Sequence, residues 1–324
     1  MIERIAVVGA GLMGHGIVQL FARHGYPVAL CDMSADALVK ARHEIEGIFH
    51  LLGQDSTDAG AVSFSTDLRE SVTGADVIIE AAPENSALKQ EIFRSLDVYS
   101  KPEALLASNT SVIPITTIAQ PVRDKGRVLG THFWNPPYLI PLVEVVETAA
   151  TRRAASDRMM ALLARVGQEP VRVLKDIPGF IGNRLQHALK REAIALVANG
   201  VCDAETVDRV IKLGFGARLG VLGTLEQSDM VGLNLTLDIH RNVMLDLDIT
   251  RGPHPYLEKL VSDGHLGMKT GKGFYEWTDE KAEAVRQRLR TFLAHQLQRK
   301  VDEERETVAP FAHSAFDEGR GTGT

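Results

Sequence analysis

Short apolar runs alternate with longer amphipathic stretches over the first half of the chain. Runs rich in β-branched residues predict six strands, at 5–8, 28–31, 77–80, 105–107, 128–133 and 142–146. Several are apolar throughout, as expected of strands buried on both faces of a parallel sheet. Helical periodicity occupies the stretches between them, for example 13–24 and 35–52. This alternation predicts a doubly wound α/β domain.

The last two predicted strands are connected differently from the others. Only eight residues, 134–141, lie between them, and three of these are proline. A crossover helix needs a longer connection. We therefore expect strands 128–133 and 142–146 to pair antiparallel.

The pattern changes at the segment 176–179, Asp-Ile-Pro-Gly. Beyond it strand signals nearly disappear, and the periodicity predicts long helices over 180–198, 222–247 and 279–301. The sequence thus predicts an α/β domain over 1–177 and an all-α domain over 178–308. The glycine-rich end, 309–324, is expected to be a flexible tail.

A GxGxxG motif at 9–14 follows the first predicted strand and opens a helix. In that context the glycines permit a tight turn, close approach of a pyrophosphate, and close packing of helix on strand. The helix N-terminus also offers N–H donors to phosphate. The residues expected to contact a dinucleotide are Gly9, Gly11, Leu12, Met13 and Gly14. A glycine-rich turn without a ligand is the alternative.

Asp32 ends the second predicted strand, at the distance where an acidic residue binds the adenosine ribose. A carboxylate there accepts hydrogen bonds from the 2′ and 3′ hydroxyls and repels a 2′-phosphate. The adjacent residues 33–35, Met-Ser-Ala, offer no arginine for that phosphate. NAD is therefore predicted as the cofactor in preference to NADP.

Composition and charge count against several other classes of protein. Lysine and arginine total 36 against 42 acidic residues, a net charge of −6, whereas nucleic-acid binders carry a basic surplus. The chain has no apolar run long enough to span a membrane and starts without a signal-peptide pattern, so we expect it in the cytoplasm. Two distant cysteines and the absence of zinc motifs predict no disulfide framework and no metal site.

Alcohol oxidation requires a base for the hydroxyl proton. Among eleven histidines, His132 stands out because it lies near the end of a predicted strand, on the ligand side of the sheet. Glu144 lies on the neighbouring strand and can pair with it. From this pattern alone, a buried hydrogen-bonded histidine without catalytic function remains the alternative.

Six segments occur in the order and spacing of a known family. They are VGAGLMG at 8–14, SNTS at 108–111, HFWNP at 132–136, LVEVV at 142–146, PGFIGNR at 178–184 and GKGFY at 271–275. Over residues 1–278 the chain resembles the 3-hydroxyacyl-CoA dehydrogenase family. The resemblance implies a Rossmann NAD-binding domain, followed by a helical domain that dimerises and closes the substrate cleft.

The resemblance also implies roles for matching residues. His132 matches the catalytic base and Glu144 the carboxylate that orients it. Ser111 matches a contact to the substrate hydroxyl and cofactor, and Asn183 an amide that steadies the substrate carbonyl. The matching positions on the cofactor side are Glu84, Lys89, Asn109 and Asn135.

The chain departs from the members that act on acyl-CoA. Those carry a lysine-rich segment after the second strand, where the anionic end of CoA lies. Here residues 34–63 contain Lys40 and Arg42 as their only lysine and arginine, and Asp55 and Asp58 would repel CoA. In contrast, Trp134, Pro137 and the run 138–141 resemble relatives that act on free hydroxy acids. These include L-gulonate 3-dehydrogenase (lambda-crystallin), carnitine dehydrogenases and a pyridine-carboxylate dehydrogenase.

Three functions therefore stay open. The first is an NAD-dependent dehydrogenase of a 3-hydroxyacyl-CoA or similar 3-hydroxy compound, and the second a dehydrogenase of a free small hydroxy acid. The third is a non-catalytic structural protein on the same fold, but the intact GxGxxG motif and the paired His132 and Glu144 favour an enzyme. The expected partners are a small-molecule substrate and a second copy of the chain, because the predicted helices carry more apolar surface than one small domain covers.

Overall fold

The protein divides into two compact units. The computed structural model describes residues 3–56 and 60–308. One unit takes the chain up to Asn183 together with the segment from Thr291 onward, and the other takes Arg184–Arg290. The domain boundary predicted at residue 177 rests on the change of sequence pattern there, and it stays a prediction. The predicted tail, 309–324, lies outside the described residues.

The first unit is the α/β part of the chain. Its strands are β1 (Ile5–Val8), β2 (Val28–Cys31), β3 (Val62–Ser65), β4 (Val77–Glu80), β5 (Leu105–Ser108), β6 (Val128–Phe133), β7 (Leu142–Val146) and β8 (Glu169–Val173). Its helices are α1 (Leu12–Ala22), α2 (Ala35–Leu51), α3 (Leu68–Val72), α4 (Ser86–Tyr99), α5 (Ile115–Ile118) and α6 (Arg153–Arg165).

Within the described residues these strands form one sheet in the order β3-β2-β1-β4-β5-β6-β7-β8. The strand order reverses direction between β1 and β4, and a crevice for a ligand opens at such a switch point. Neighbouring strands are parallel except β6 and β7, which pair antiparallel and place His132 directly opposite Glu144. The predicted doubly wound sheet and its antiparallel pair are confirmed.

Apolar side chains cover the sheet on both faces. Helices α1, α2 and α6 pack on one face through residues such as Ile17, Ile45 and Leu162. Helices α3, α4 and α5 pack on the other through residues such as Phe93 and Ile118. The central strands β1 and β4 are buried along their whole length, which explains why β1 is apolar throughout and why β4 is apolar up to its last residue, Glu80.

The sequence analysis missed β3 and β8, which are the two edges of the sheet. β3 reads Val-Ser-Phe-Ser and is half-buried to exposed, so it lacks the apolar run of a central strand. β8 reads Glu-Pro-Val-Arg-Val, and its Pro170 is a residue that a strand accommodates at an edge. Their position at the edges of the sheet therefore explains why the sequence patterns of β3 and β8 are weak.

The second unit is helical. It contains most of α7 (Gly182–Ala198), then α8 (Ala204–Leu213), α9 (Thr224–Val231), α10 (Leu233–Val243), α11 (Pro255–Ser262) and the start of α12 (Asp279–Val308). The single helix predicted over 222–247 was wrong, because the chain breaks it at Gly232, whose φ of 98° is not helical. In the part of the chain that the structure describes, none of the helices has the length and apolarity of a membrane span.

Candidate active site

The loops that follow five parallel strands meet at one edge of the sheet. These strands end at Val8, Cys31, Glu80, Ser108 and Phe133. Val8 lies opposite both Cys31 and Glu80, and Glu80 lies opposite Ser108, so the loops emerge side by side. Most of the predicted site residues belong to these loops or to the ends of these strands.

The glycine loop has the geometry that a dinucleotide requires. Gly9 has a φ of 109°, and a Cβ on it would lie 2.7 Å from the carbonyl oxygen of Ala81. A Cβ on Gly14 would lie 1.8 Å from the Gly9 oxygen. A Cβ on Gly11, however, would meet no atom of the described residues within 4 Å. The loop is thus closely packed at Gly9 and Gly14 and open at Gly11, where α1 begins.

Leu12 and Met13 form the first turn of α1, with Leu12 exposed and Met13 half-buried. The N-cap of this helix is Gly11, and no side chain of the described residues caps it. The backbone N–H groups of the first turn are therefore available to an anion.

Asp32 lies half-buried just after β2 and beside the glycine loop. One of its carboxylate oxygens accepts a hydrogen bond from the N–H of Ala10 at 2.8 Å. The other accepts from the N–H of Ser34 at 2.9 Å. These two bonds fix the carboxylate next to the loop, the position predicted for a ribose ligand.

A buried network lies beneath the site, around Glu80 at the end of β4. Its carboxylate accepts from Lys89 Nζ at 2.7 Å, from Ser108 Oγ at 2.6 Å and from the N–H of Ala82 at 2.7 Å. Lys89 also donates to the carbonyl oxygen of Ala82 at 3.0 Å and is only 1% exposed. The ammonium of Lys89 is thus engaged by protein groups.

Glu84 holds the SNTS loop in place. Its carboxylate accepts hydrogen bonds from the Thr110 hydroxyl and from the N–H groups of residues 111–113. Burial raises the pKa of Glu84, but hydrogen bonds from Thr110 and the Val112 N–H, together with the Lys89 ammonium 3.6 Å away, hold this pKa below its usual value. Glu84 is therefore a carboxylate at neutral pH.

Asn109 and Asn135 occupy different environments. Asn109 is buried, and its side-chain oxygen accepts from the N–H of Phe133 at 2.9 Å, which ties the SNTS loop to the end of β6. Asn135 is exposed and precedes Pro136 through a cis peptide bond. Only Asn135 of the two presents an accessible amide.

His132 and Glu144 form a hydrogen-bonded pair on β6 and β7. His132 Nδ1 lies 2.7 Å from one Glu144 oxygen. The other oxygen accepts from the N–H groups of Ile181 and Gly182, at 2.9 and 3.1 Å. Burial raises the pKa of Glu144, but these bonds outweigh it and keep the pKa below its usual value. A buried carboxylate, 1% exposed, thus faces the imidazole in its ionised form.

Aromatic rings lie beside the imidazole. The rings of Trp134 and Phe180 have their centroids 5.5 and 5.8 Å from that of His132. Gly182 lies against Trp134, since a Cβ on it would be 2.3 Å from the indole ring. The imidazole therefore lies in a largely apolar surrounding that strengthens its hydrogen bond to Glu144.

Asn183 follows directly after the N–H groups that bind Glu144. Its amide Nδ2 donates to the carbonyl oxygen of Ser111 at 3.0 Å. One of the two amide protons is thus used to fix the SNTS loop, and the second remains for another acceptor. Ser111 itself is half-buried.

The structure brings most of the predicted site residues into hydrogen-bonded groups. His132 pairs with Glu144, Asn183 binds Ser111, and Glu84 binds the SNTS loop. Glu80 was not predicted as a site residue from the sequence. An acidic residue ending an apolar strand was the available signal for Glu80, because a buried carboxylate requires partners.

Comparison with known proteins agrees with this geometry. Family models for the NAD-binding domain and the C-terminal domain of 3-hydroxyacyl-CoA dehydrogenase match residues 4–177 and 179–277. The chain is 37% identical over 291 residues to a probable 3-hydroxybutyryl-CoA dehydrogenase of Bacillus subtilis. This match covers 86% of this chain and 99% of that protein.

A second type of relative acts on a pyridine carboxylate. The 5-formyl-3-hydroxy-2-methylpyridine 4-carboxylate 5-dehydrogenase of Mesorhizobium japonicum is 34% identical over 300 residues, covering 91% of this chain and 97% of that protein. A crystal structure of a 5-dehydrogenase of the same substrate, an NAD+-dependent dismutase, has a TM-score of 0.85 at 33% identity, covering 91% and 97% of the two chains.

These findings confirm the predicted Rossmann domain with its helical C-terminal domain, the NAD cofactor and the enzyme class. They also support an enzyme over a non-catalytic structural protein. The chain belongs to the 3-hydroxyacyl-CoA dehydrogenase family and is an NAD-dependent oxidoreductase.

Proposed function

We propose that this enzyme oxidises the hydroxyl of a 3-hydroxy compound to the 3-oxo product, with His132 as the base. The observation that carries the proposal is the 2.7 Å contact between His132 and the buried Glu144 carboxylate at the carboxyl edge of the sheet. A histidine oriented by a carboxylate is a common solution for proton transfer in alcohol oxidation.

The residues of the glycine loop fit NAD. Gly11 leaves space beside the uncapped N-terminus of α1, and the Asp32 carboxylate is fixed next to it for the ribose hydroxyls. When bound, NAD supplies the acceptor for the hydride. The Asp32 carboxylate would repel the 2′-phosphate of NADP, which favours NAD.

The proton is handled by the chain itself. The ionised Glu144 accepts the Nδ1–H of His132, so Nε2 carries the free lone pair and takes the proton from the substrate hydroxyl. The imidazolium that results is stabilised by the same carboxylate. In the reverse direction His132 returns the proton from the same nitrogen.

Positioning falls to residues around this pair. Ser111 contributes its hydroxyl to the substrate and cofactor, and the second amide proton of Asn183 binds the substrate carbonyl. Asn135 presents its accessible amide on the cofactor side. Lys89 and Asn109 act as positioning residues and do not contact NAD directly. Lys89 holds Glu80 and Glu84 in place, and Asn109 holds the end of β6.

The substrate of this enzyme need not carry CoA. We propose that a compact 3-hydroxy carboxylate competes with a 3-hydroxyacyl-CoA, because α2 offers few cations to the phosphates of CoA. Its lysine and its arginine, Lys40 and Arg42, are both exposed, and the Arg42 guanidinium lies 4.2 Å over the ring of Phe64. His43 pairs with Glu46 at 3.9 Å. Asp55 remains nearby in sequence, and Asp58 lies outside the described residues.

The decisive experiment compares 3-hydroxybutyryl-CoA with its pantetheine-truncated thioester and with free 3-hydroxybutyrate. We expect kcat/KM for the two thioesters to agree within about tenfold. A tenfold ratio corresponds to about 1.4 kcal/mol, which is more than exposed charge pairs usually contribute. The variant Lys40→Gln/Arg42→Gln should leave the ratio unchanged. A large advantage for the CoA ester that falls with salt and is lost in the double variant would show that the nucleotide is recognised by charge.

We further propose a homodimer in the cytoplasm. The second unit exposes large apolar side chains on and after α9 and α10, with Leu225 82% and Leu245 89% exposed. Exposed apolar patches of this kind mark interaction surfaces. We therefore expect sedimentation at micromolar concentration to show twice the chain mass of 35.4 kDa. The variant Leu225→Asp/Leu237→Asp should shift the protein towards monomer, whereas a monomeric wild type would refute the proposal.

A further inference from the structure

A polar cavity of about 710 Å³ lies in the first unit, outside the residues assigned to the reaction. It is lined by the C-terminal ends of α1 and α2, by the turn from α6 into β8, and by side chains of α12. The cavity is at the opposite end of α1 from the glycine loop, roughly 16 Å away along the helix at 1.5 Å per residue. It is therefore separate from the cofactor loop.

Arg23 lines this cavity and forms no ion pair with the described residues. It is half-buried, and among the described residues no carboxylate lies within ion-pair distance of its guanidinium. Its Nε is buried and has no hydrogen-bond partner within residues 3–56 and 60–308. A polar atom that is withdrawn from water without a partner costs free energy, and such a group persists where a ligand completes the lining around it.

Gln168 and His24 add to this polar lining. Gln168 is 6% exposed, and its side-chain oxygen has no hydrogen-bond partner in the described part of the chain. His24 Nδ1 lies 2.8 Å from the Leu20 carbonyl oxygen, which leaves Nε2 as an acceptor. Glu169 also lines the cavity, but it has an interaction of its own. Arg23 and Gln168, which lie on different elements and each carry an unpartnered atom, thus line the same cavity.

We propose that this cavity binds a metabolite-sized molecule through an oxyanion, a carboxylate or a phosphate, held by Arg23 and Gln168. The planar guanidinium matches both oxyanions with paired N–H donors. The side-chain amide of Gln168 supplies a further N–H, since its oxygen and nitrogen exchange by a flip about χ3. The volume lies in the range of small-molecule sites and exceeds what a single ion fills.

The first test measures stability of the whole chain without ligand. Replacing the unpaired cation removes its desolvation cost, so Arg23→Met should raise Tm. Arg42→Met is the matched control, because Arg42 stacks on Phe64 at the surface, and it should not raise Tm. An unchanged or lower Tm for Arg23→Met would mean that Arg23 is a packing residue and would overturn the proposal.

The second test is calorimetric titration with inorganic phosphate and with citrate, in the presence of saturating NAD so that the cofactor loop is filled. We expect saturable binding of at least one probe, and the stronger of the two identifies phosphate or carboxylate as the ligand group. Arg23→Met and Gln168→Leu should each weaken it by about tenfold or more, as expected for a hydrogen bond to a charged group. Arg42→Met should bind normally. Binding of neither probe, or binding that Arg23→Met leaves intact, would overturn the proposal.

Discussion

Replacing His132 by glutamine is expected to lower kcat by roughly two to four orders of magnitude, the usual contribution of a positioned general base. Binding of NAD should stay normal, because His132 lies on β6 and not on the glycine loop. NADH absorbance measures turnover, and fluorescence titration measures the affinity for NAD. Turnover near that of the wild type would show that another group takes the proton.

Glu144→Gln is the matched variant for this prediction. This variant keeps the histidine but replaces a carboxylate that accepts three hydrogen bonds. The amide of glutamine has one oxygen and one NH2 group, so a donor must face a donor on one side of the side chain. We expect a smaller loss of kcat than in His132→Gln, together with a lower Tm, since either His132 on β6 or the start of α7 loses its acceptor. A loss of kcat greater than in His132→Gln would argue that Glu144 itself is the base.

The second large effect is expected in the glycine loop, where two positions should respond in opposite ways. Gly14→Ala places a Cβ 1.8 Å from the Gly9 oxygen, so strand and helix must separate. Overpacking of this kind lowers the free energy of unfolding by about 1–3 kcal/mol or more. Thermal denaturation without cofactor should show the loss directly.

Gly11→Ala should instead fold normally, because its Cβ meets no atom of the described residues within 4 Å. The methyl group would occupy space needed by the pyrophosphate. We expect KM for NAD to rise by about tenfold, equivalent to about 1.4 kcal/mol, at unchanged Tm. An unaltered KM in this variant would place the phosphates elsewhere.

Much of this site could be predicted because its residues lie on, or directly after, strands whose other residues are mostly apolar. His132 and Glu144 lie on buried strands whose short connection leaves antiparallel pairing as the only option, so their contact follows from the sequence. Asp32 and the glycine loop follow the first two strands in the same way. The residues that could be assigned from pattern are those within or directly after such strands.

Other features depend on contacts between distant segments. Glu80, Lys89 and Ser108 are joined by hydrogen bonds inside the domain, but they lie on three different elements, β4, α4 and β5. The interruption between α9 and α10 was hidden for a different reason, because the apolar periodicity continues across Gly232. A single positive φ decides that break, and periodicity does not report it.

The antiparallel pairing of β6 with β7 has a consequence for how this enzyme evolves. Successive side chains of a strand point to opposite faces, so a register shift of one residue would turn Glu144 away from His132 while leaving the sheet hydrogen-bonded. The connection between the strands, 134–141, must therefore keep its eight residues to hold this register. Single deletions there are expected to yield folded, inactive protein, and sequence drift in this loop should proceed by substitution at constant length.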